Sequence, residues 1–164
     1  MRTVNVKRLA LGGMLSAIIL VMTVGFHLPV PATGGYVHLG DGFIFLTAAA
    51  IGPYAALAAG VGSALADLLG GYFIYIPATF LIKAAMGLIA GKFAGQSGRI
   101  RRSIVFAAAE AIMAGGYFAF EWVLYGGAAA LGAVVPNLVQ GAFGVILGLL
   151  LTEITSKMSE KTKK

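Results

Sequence analysis

Residues 41–72, DGFIFLTAAAIGPYAALAAGVGSALADLLGGY, decide the fold of this chain. The stretch is largely apolar, with Asp41 and Asp67 its charged residues, and its middle holds Gly52-Pro53, where proline removes a backbone donor and glycine relaxes the chain. It reads as two helices, about 41–51 and 53–69. The first is short for a full membrane span of roughly 20 residues, and a tilted short span and a re-entrant hairpin both accommodate it. The rest of the chain has the same character. Of 164 residues, 59% are hydrophobic and 11% charged, and the mean hydropathy is +0.92. A soluble domain of this length needs far more polar surface, so the natural solvent is lipid.

Working outward, Arg2, Lys7 and Arg8 precede an apolar run at 9–26, read as a retained first helix because apolar segments continue to the end of the chain. The segment 27–41, HLPVPATGGYVHLGD, holds two prolines, three glycines and both histidines, and reads as an irregular loop. Further helices are expected at 77–93, opened by Pro77, at 103–124, and at 136–154, opened by Pro136 after the glycine- and alanine-rich stretch 126–135. The expectation is an all-α integral membrane protein, one membrane domain over residues 1–164 built as a six-helix transmembrane bundle. Eleven of the 12 lysines and arginines lie at the edges of apolar runs, which places both termini and the loop between helices four and five in the cytoplasm. That distribution also argues against nucleic acid, despite a net charge of +6.

Small residues recur at four-residue spacing: Gly12 with Ser16, Gly13 with Ala17, Gly62 with Ala66, Gly87 with Gly91, Gly144 with Gly148. Internal packing between helices accounts for most such pairs. Helix one holds two of them side by side, and there a docking surface for another membrane subunit competes with packing.

Charged groups inside hydrocarbon cost about 2.5–3.5 kcal/mol at a helix centre, so Lys83 and Glu110 are expected to face the bundle interior, as a mutual ion pair or as ligand contacts, with a snorkelling lysine the other reading of Lys83. Asp41 stands at the start of helix two, where an N-cap or a favourable charge at the positive helix end explains it. Asp67 ends helix three, where a carboxylate gains nothing from the dipole and a functional role is the better explanation. Tyr75 and Trp122 suit an interfacial belt or stacking on a planar ligand. Asn137 and Gln140 suit reading the edge of a heterocycle or bonding a neighbouring helix, and His38 joins them on the outer side. The chain has no zinc-protease helix, phosphate loop or nucleophile elbow, and with no cysteine it has no thiolate chemistry; an enzyme is not expected, nor a cofactor or metal.

The layout and two segments, VHLGDGFIFLTAAAIGPYAALAAGVGSALADLLGGY (37–72) and YIPATFLIKAAMGLIAGK (75–92), resemble the substrate-binding S components of energy-coupling factor (ECF) transporters. The similarity is to the riboflavin-type branch, which includes carriers for hydroxymethylpyrimidine and pyridoxine. The resemblance implies capture of a vitamin or precursor from outside, and delivery through the transmembrane coupling protein EcfT with two cytoplasmic ATPases. It implies a site in the outer loops and the outer halves of helices four to six, and the residues expected to bind substrate there are His38, Asp41, Asp67, Tyr75, Lys83, Trp122, Asn137 and Gln140. It also implies a coupling face on helix one, where the family carries Ala-Xaa-Xaa-Xaa-Ala. Here Ala10 is followed by Met14, and Gly13 and Ala17 are the nearest equivalent. Two other functions fit the residues: a membrane assembly subunit without a ligand of its own, and a stand-alone ion-coupled carrier using Glu110 and Lys83.

Overall fold

The computed structural model describes residues 6–94 and 98–162; Arg2, Lys163 and Lys164, among the basic residues used above, lie outside it. Its described residues form helix α1 (Val6–Gly25), a hairpin of β1 (His27–Val30) and β2 (Gly35–His38), and helices α2 (Gly40–Ile51), α3 (Ala55–Gly70), α4 (Ile76–Phe93), α5 (Arg99–Tyr125) and α6 (Gly127–Thr162). Five apolar stretches are long enough to cross a membrane. They are α1, the continuous α2–α3 stretch Gly40–Gly70, Phe73–Phe93, α5 and residues Gly127–Met158 of α6. Large apolar side chains such as Leu81, Val123, Val135 and Phe143 face outward, as they do when the surrounding solvent is lipid.

Two expectations are corrected. The segment expected to be an irregular loop is a hairpin pairing His27 with His38, Leu28 with Val37, Pro29 with Tyr36 and Val30 with Gly35. Its turn closes because Gly34 adopts φ 65°, which a residue without a Cβ does at no steric cost, and the Gly34 N–H donates to Val30 O at 3.0 Å. Two strands leave no interior ladder for Pro29 to break. The sixth helix starts at Gly127 rather than at Pro136, which lies inside it. Four of the nine residues from 127 to 135 are alanine, the best helix former, and a proline within a long helix costs one hydrogen bond and bends the helix without ending it.

Helix α2 is the hub, packed against α1, α3, α4 and α6. Its Phe45 stacks on Phe106 of α5 with ring centroids 4.1 Å apart, beside Ile19, Ile44, Met86 and Met113, all fully buried. Elsewhere the backbones themselves meet. A Cβ on Gly87 would lie 2.6 Å from Ala55 O, one on Gly62 would lie 2.5 Å from Ser16 O, and one on Gly91 would collide with the carbonyl of Gly52. Gly52 turns the chain between α2 and α3 at φ 60°, and the 3-10 turn Gly52–Tyr54 that follows rests on Gly91.

These contacts separate structural glycines from free ones. Gly91→Ala should lower the thermal midpoint in detergent, since overpacking costs about 1–3 kcal/mol. Gly13→Ala, whose Cβ meets nothing within 4 Å, should leave the midpoint unchanged or raise it slightly.

Candidate functional site

Lys83 lies two turns into α4 and Asp41 in the first turn of α2, and their side chains meet at 2.6 Å with neither exposed. Asp41 is therefore not an N-cap; the cap position is Leu39, which makes no side-chain cap bond. The other Asp41 oxygen accepts from Gln140 Nε2 at 2.6 Å, and Gln140 Oε1 accepts from the His38 N–H at 2.8 Å. The Gly40 N–H donates to His38 Nδ1 at 3.0 Å, which leaves the ring proton on Nε2. Burial pushes the His38 imidazole down to about 3, with Lys83 adding to the effect and Asp41 opposing it, so the ring is neutral at physiological pH. One chain of polar contacts thus ties α4, α2, α6 and β2 together.

Against this chain lies a small cavity of about 20 Å³, lined by Gly35, Tyr36, His38, Asp67, Tyr75, Thr79, Tyr117, Glu121, Asn137 and Gln140. The hairpin covers it. Tyr36 Oη donates to Asp67 Oδ1 at 2.7 Å, and its ring packs on Tyr72 with centroids 4.5 Å apart. Burial, then the charge of Asp67, pushes the Tyr36 phenol up and keeps it a donor. Tyr75 Oη bridges Thr33 O at 3.1 Å and Glu121 Oε1 at 3.2 Å, linking the hairpin turn to α5. Thr79 Oγ1 and Tyr117 Oη share a bond of 3.0 Å across α4 and α5. A Cβ on Gly132 would press on Ala32, so the turn is also seated on α6.

Of the eight residues expected to bind substrate, the structure brings His38, Asp67, Tyr75, Asn137 and Gln140 to the cavity wall. Lys83 and Asp41 stand behind it and hold Gln140, one partner deeper than expected. Trp122 is 50% exposed, its ring edge-to-face with Phe118, away from the cavity. Its neighbour Glu121 points in instead, 3% exposed. Sequence reasoning missed Tyr36, Thr79, Tyr117 and Glu121 as wall residues. Part of the signal was available, since Glu110, Tyr117 and Glu121 fall seven and four residues apart on one face of α5. Glu110 does not pair with Lys83. Both its carboxylate oxygens lack hydrogen-bond partners, and it packs on Gly141 and Gly144. It borders a second, mostly apolar cavity of about 210 Å³ between α5 and α6, which also touches Asn137. Gly13 and Ala17 lie on the exposed face of α1.

Three comparisons bear on this arrangement. The family described as ECF-type riboflavin transporter, S component, matches residues 3–157. An uncharacterized protein in the gap 3′ region of Pyrococcus woesei is 37% identical over 134 residues, which cover 79% of this chain and 88% of that protein. The thiamine precursor transporter HmpT of Lactococcus lactis subsp. cremoris (strain MG1363) is 28% identical over 160 residues, covering 96% and 90%. In fold, the chain is similar to the crystal structure of FolT bound with folic acid, with a TM-score of 0.66 at 22% identity over 91% of this chain and 90% of that one.

Breaking the buried ion pair tests its place in the site. Lys83→Met leaves the Asp41 carboxylate buried without its cation and should destabilise the protein by about 3–5 kcal/mol, read by denaturant titration in mixed micelles. Adding Asp41→Asn should recover much of that loss, because the uncompensated charge is gone.

Proposed function

The chain belongs to the ECF-type riboflavin transporter S-component family, and from that premise we propose that the hairpin-covered cavity is where it captures a vitamin or vitamin precursor. It is a multi-pass membrane protein of a transporter family. HmpT, a relative over nearly the whole chain, is a thiamine precursor transporter, and the fold neighbour FolT holds folic acid. The observation that carries the reading is the concentration of buried polar side chains from β2, α3, α4, α5 and α6 around one cavity beneath a two-stranded cover. A chain that only packs against other subunits has no need to gather hydroxyls, amides and carboxylates at one point inside lipid.

In this reading the six helices are six spans, with α2 the shortest, and both termini are cytoplasmic. The hairpin then lies on the outer side, where solute arrives. The ligand is a planar heterocycle held between Tyr75, Tyr117 and Tyr36, with Asp67, Asn137, His38 and Gln140 as polar contacts and Lys83 and Asp41 bracing Gln140. A cavity of about 20 Å³ takes little more than a water, so such a ligand enters as the hairpin lifts. Delivery inward falls to EcfT, which docks on α1 around Gly13 and Ala17, together with two cytoplasmic ATPases.

Purified protein screened against B vitamins and their precursors should show one class that raises the thermal midpoint, by about 2.7 kcal/mol of stabilisation at a hundredfold excess over Kd. A folded protein that ignores the whole panel would point to an assembly subunit. Gly13→Leu, on an exposed face, should keep that binding and lose co-purification with EcfT; intact co-purification would move the coupling face elsewhere.

A further inference from the structure

The unfilled hydrogen-bonding capacity of the cavity wall is lopsided. Asp67 Oδ2 and Glu121 Oε2 are buried and have no partner, although each residue's other oxygen is engaged, by Tyr36 and Tyr75 respectively. Asp67 is 2% exposed and Glu121 3%, and both line the same cavity. The Thr79 hydroxyl stands beside Asp67 and the Thr33 hydroxyl beside Glu121, yet neither closes a bond to these two oxygens, and three other donors are engaged elsewhere. Lys83 is bound to Asp41, Gln140 spends its amide on Asp41 and its carbonyl on His38, and Tyr117 is engaged with Thr79. Among the described residues, the charged side chains buried in the bundle are Asp41, Asp67, Glu110 and Glu121 against the single base Lys83. An anion entering the cavity meets an excess of carboxylates in a low-dielectric interior. A ligand edge made of carbonyls leaves both orphan oxygens unpaired.

Resting on the capture reading above, we propose that the cavity selects a nitrogen heterocycle presenting exocyclic amino groups or a positive charge, and discriminates against anionic and carbonyl-edged vitamins. An aminopyrimidine-like ring is the simplest such ligand. Its amino group can donate to Glu121 and Asp67 together, while Asn137, whose amide both donates and accepts, reads the ring nitrogens. Hydrogen bonds to charged acceptors are the stronger kind, so the two carboxylates give specificity as well as affinity. Tyr36 and Tyr75 hold each carboxylate by its other oxygen and fix its orientation in the cavity wall.

The test compares four probes on the full-length protein by calorimetry and thermal shift: a hydroxymethyl-aminopyrimidine, its counterpart with a carbonyl in place of the amino group, its phosphate ester, and riboflavin. The aminopyrimidine should bind at least about tenfold tighter than its oxo counterpart, and the phosphate ester should bind weakest. Glu121→Gln and Asp67→Asn should each weaken the aminopyrimidine by about tenfold or more and narrow its lead over the oxo compound. Tighter binding of the oxo compound, the ester or riboflavin by the unmodified protein overturns the donor-class assignment and leaves the capture reading standing. Silence of the folded protein toward all four probes and the whole vitamin panel removes both. The unmodified protein decides the matter by itself should either variant fail to fold.

Discussion

The ion pair between Asp41 and Lys83 organises the rest of the structure. Two opposite charges fully removed from solvent are tolerated only when each meets the other and their remaining hydrogen-bonding capacity is filled. That demand reaches across the bundle: Asp41 needs a second donor and takes it from Gln140, and Gln140 needs a donor for its carbonyl and takes it from the backbone of the hairpin. The position of the hairpin over the cavity thus follows from the solvation of a charge several residues away. A bundle held only by apolar contacts and small residues would have less to fix this register, because lipid competes with side chains on equal terms for dispersion.

Much of this was legible in the sequence, for definite reasons. Long apolar runs bounded by glycine, proline and basic residues define helices because the bilayer imposes a length scale. Asp67 stood out because its charge opposes the helix dipole, and Asn137 and Gln140 because amides are rare guests in lipid; all three line the cavity. The depth at which helices stand relative to one another was not legible. Glu110 was the ion-pair partner considered for Lys83, and only the docking of α2 between α4 and α6 makes that partner Asp41.

Facing, too, is finely set. Neighbouring residues on a helix differ by about 100°, so Glu121 enters the cavity and Trp122 meets the surroundings, although both lie near the C-terminal end of α5. The expectation followed ring size, whereas the helical period from Glu110 through Tyr117 favoured the carboxylate. The hairpin was hidden for another reason. Its strands have four residues each, and prolines and glycines that read as loop signals sit where a two-stranded ribbon tolerates them.

The contact between Gly52 and Gly91 lies at the far end of α4 from Tyr75 and Thr79, a separation of roughly 18 Å at 1.5 Å per residue from Thr79 to Gly91. Backbone meets backbone at that end, so substitution there is punished by sterics. At the other end the cavity wall is made mainly of side chains, among them Thr79 on the first turn of α4, Tyr117 and Glu121 on the last turns of α5, and Asn137 and Gln140 about three turns into α6. Wall residues outside the Asp41–Gln140–His38 chain, such as Asn137, can therefore be exchanged with less disturbance to backbone packing than Gly91. Such a molecule is free to drift between ligands over generations while its architecture stays put, a lineage of one frame and many tenants.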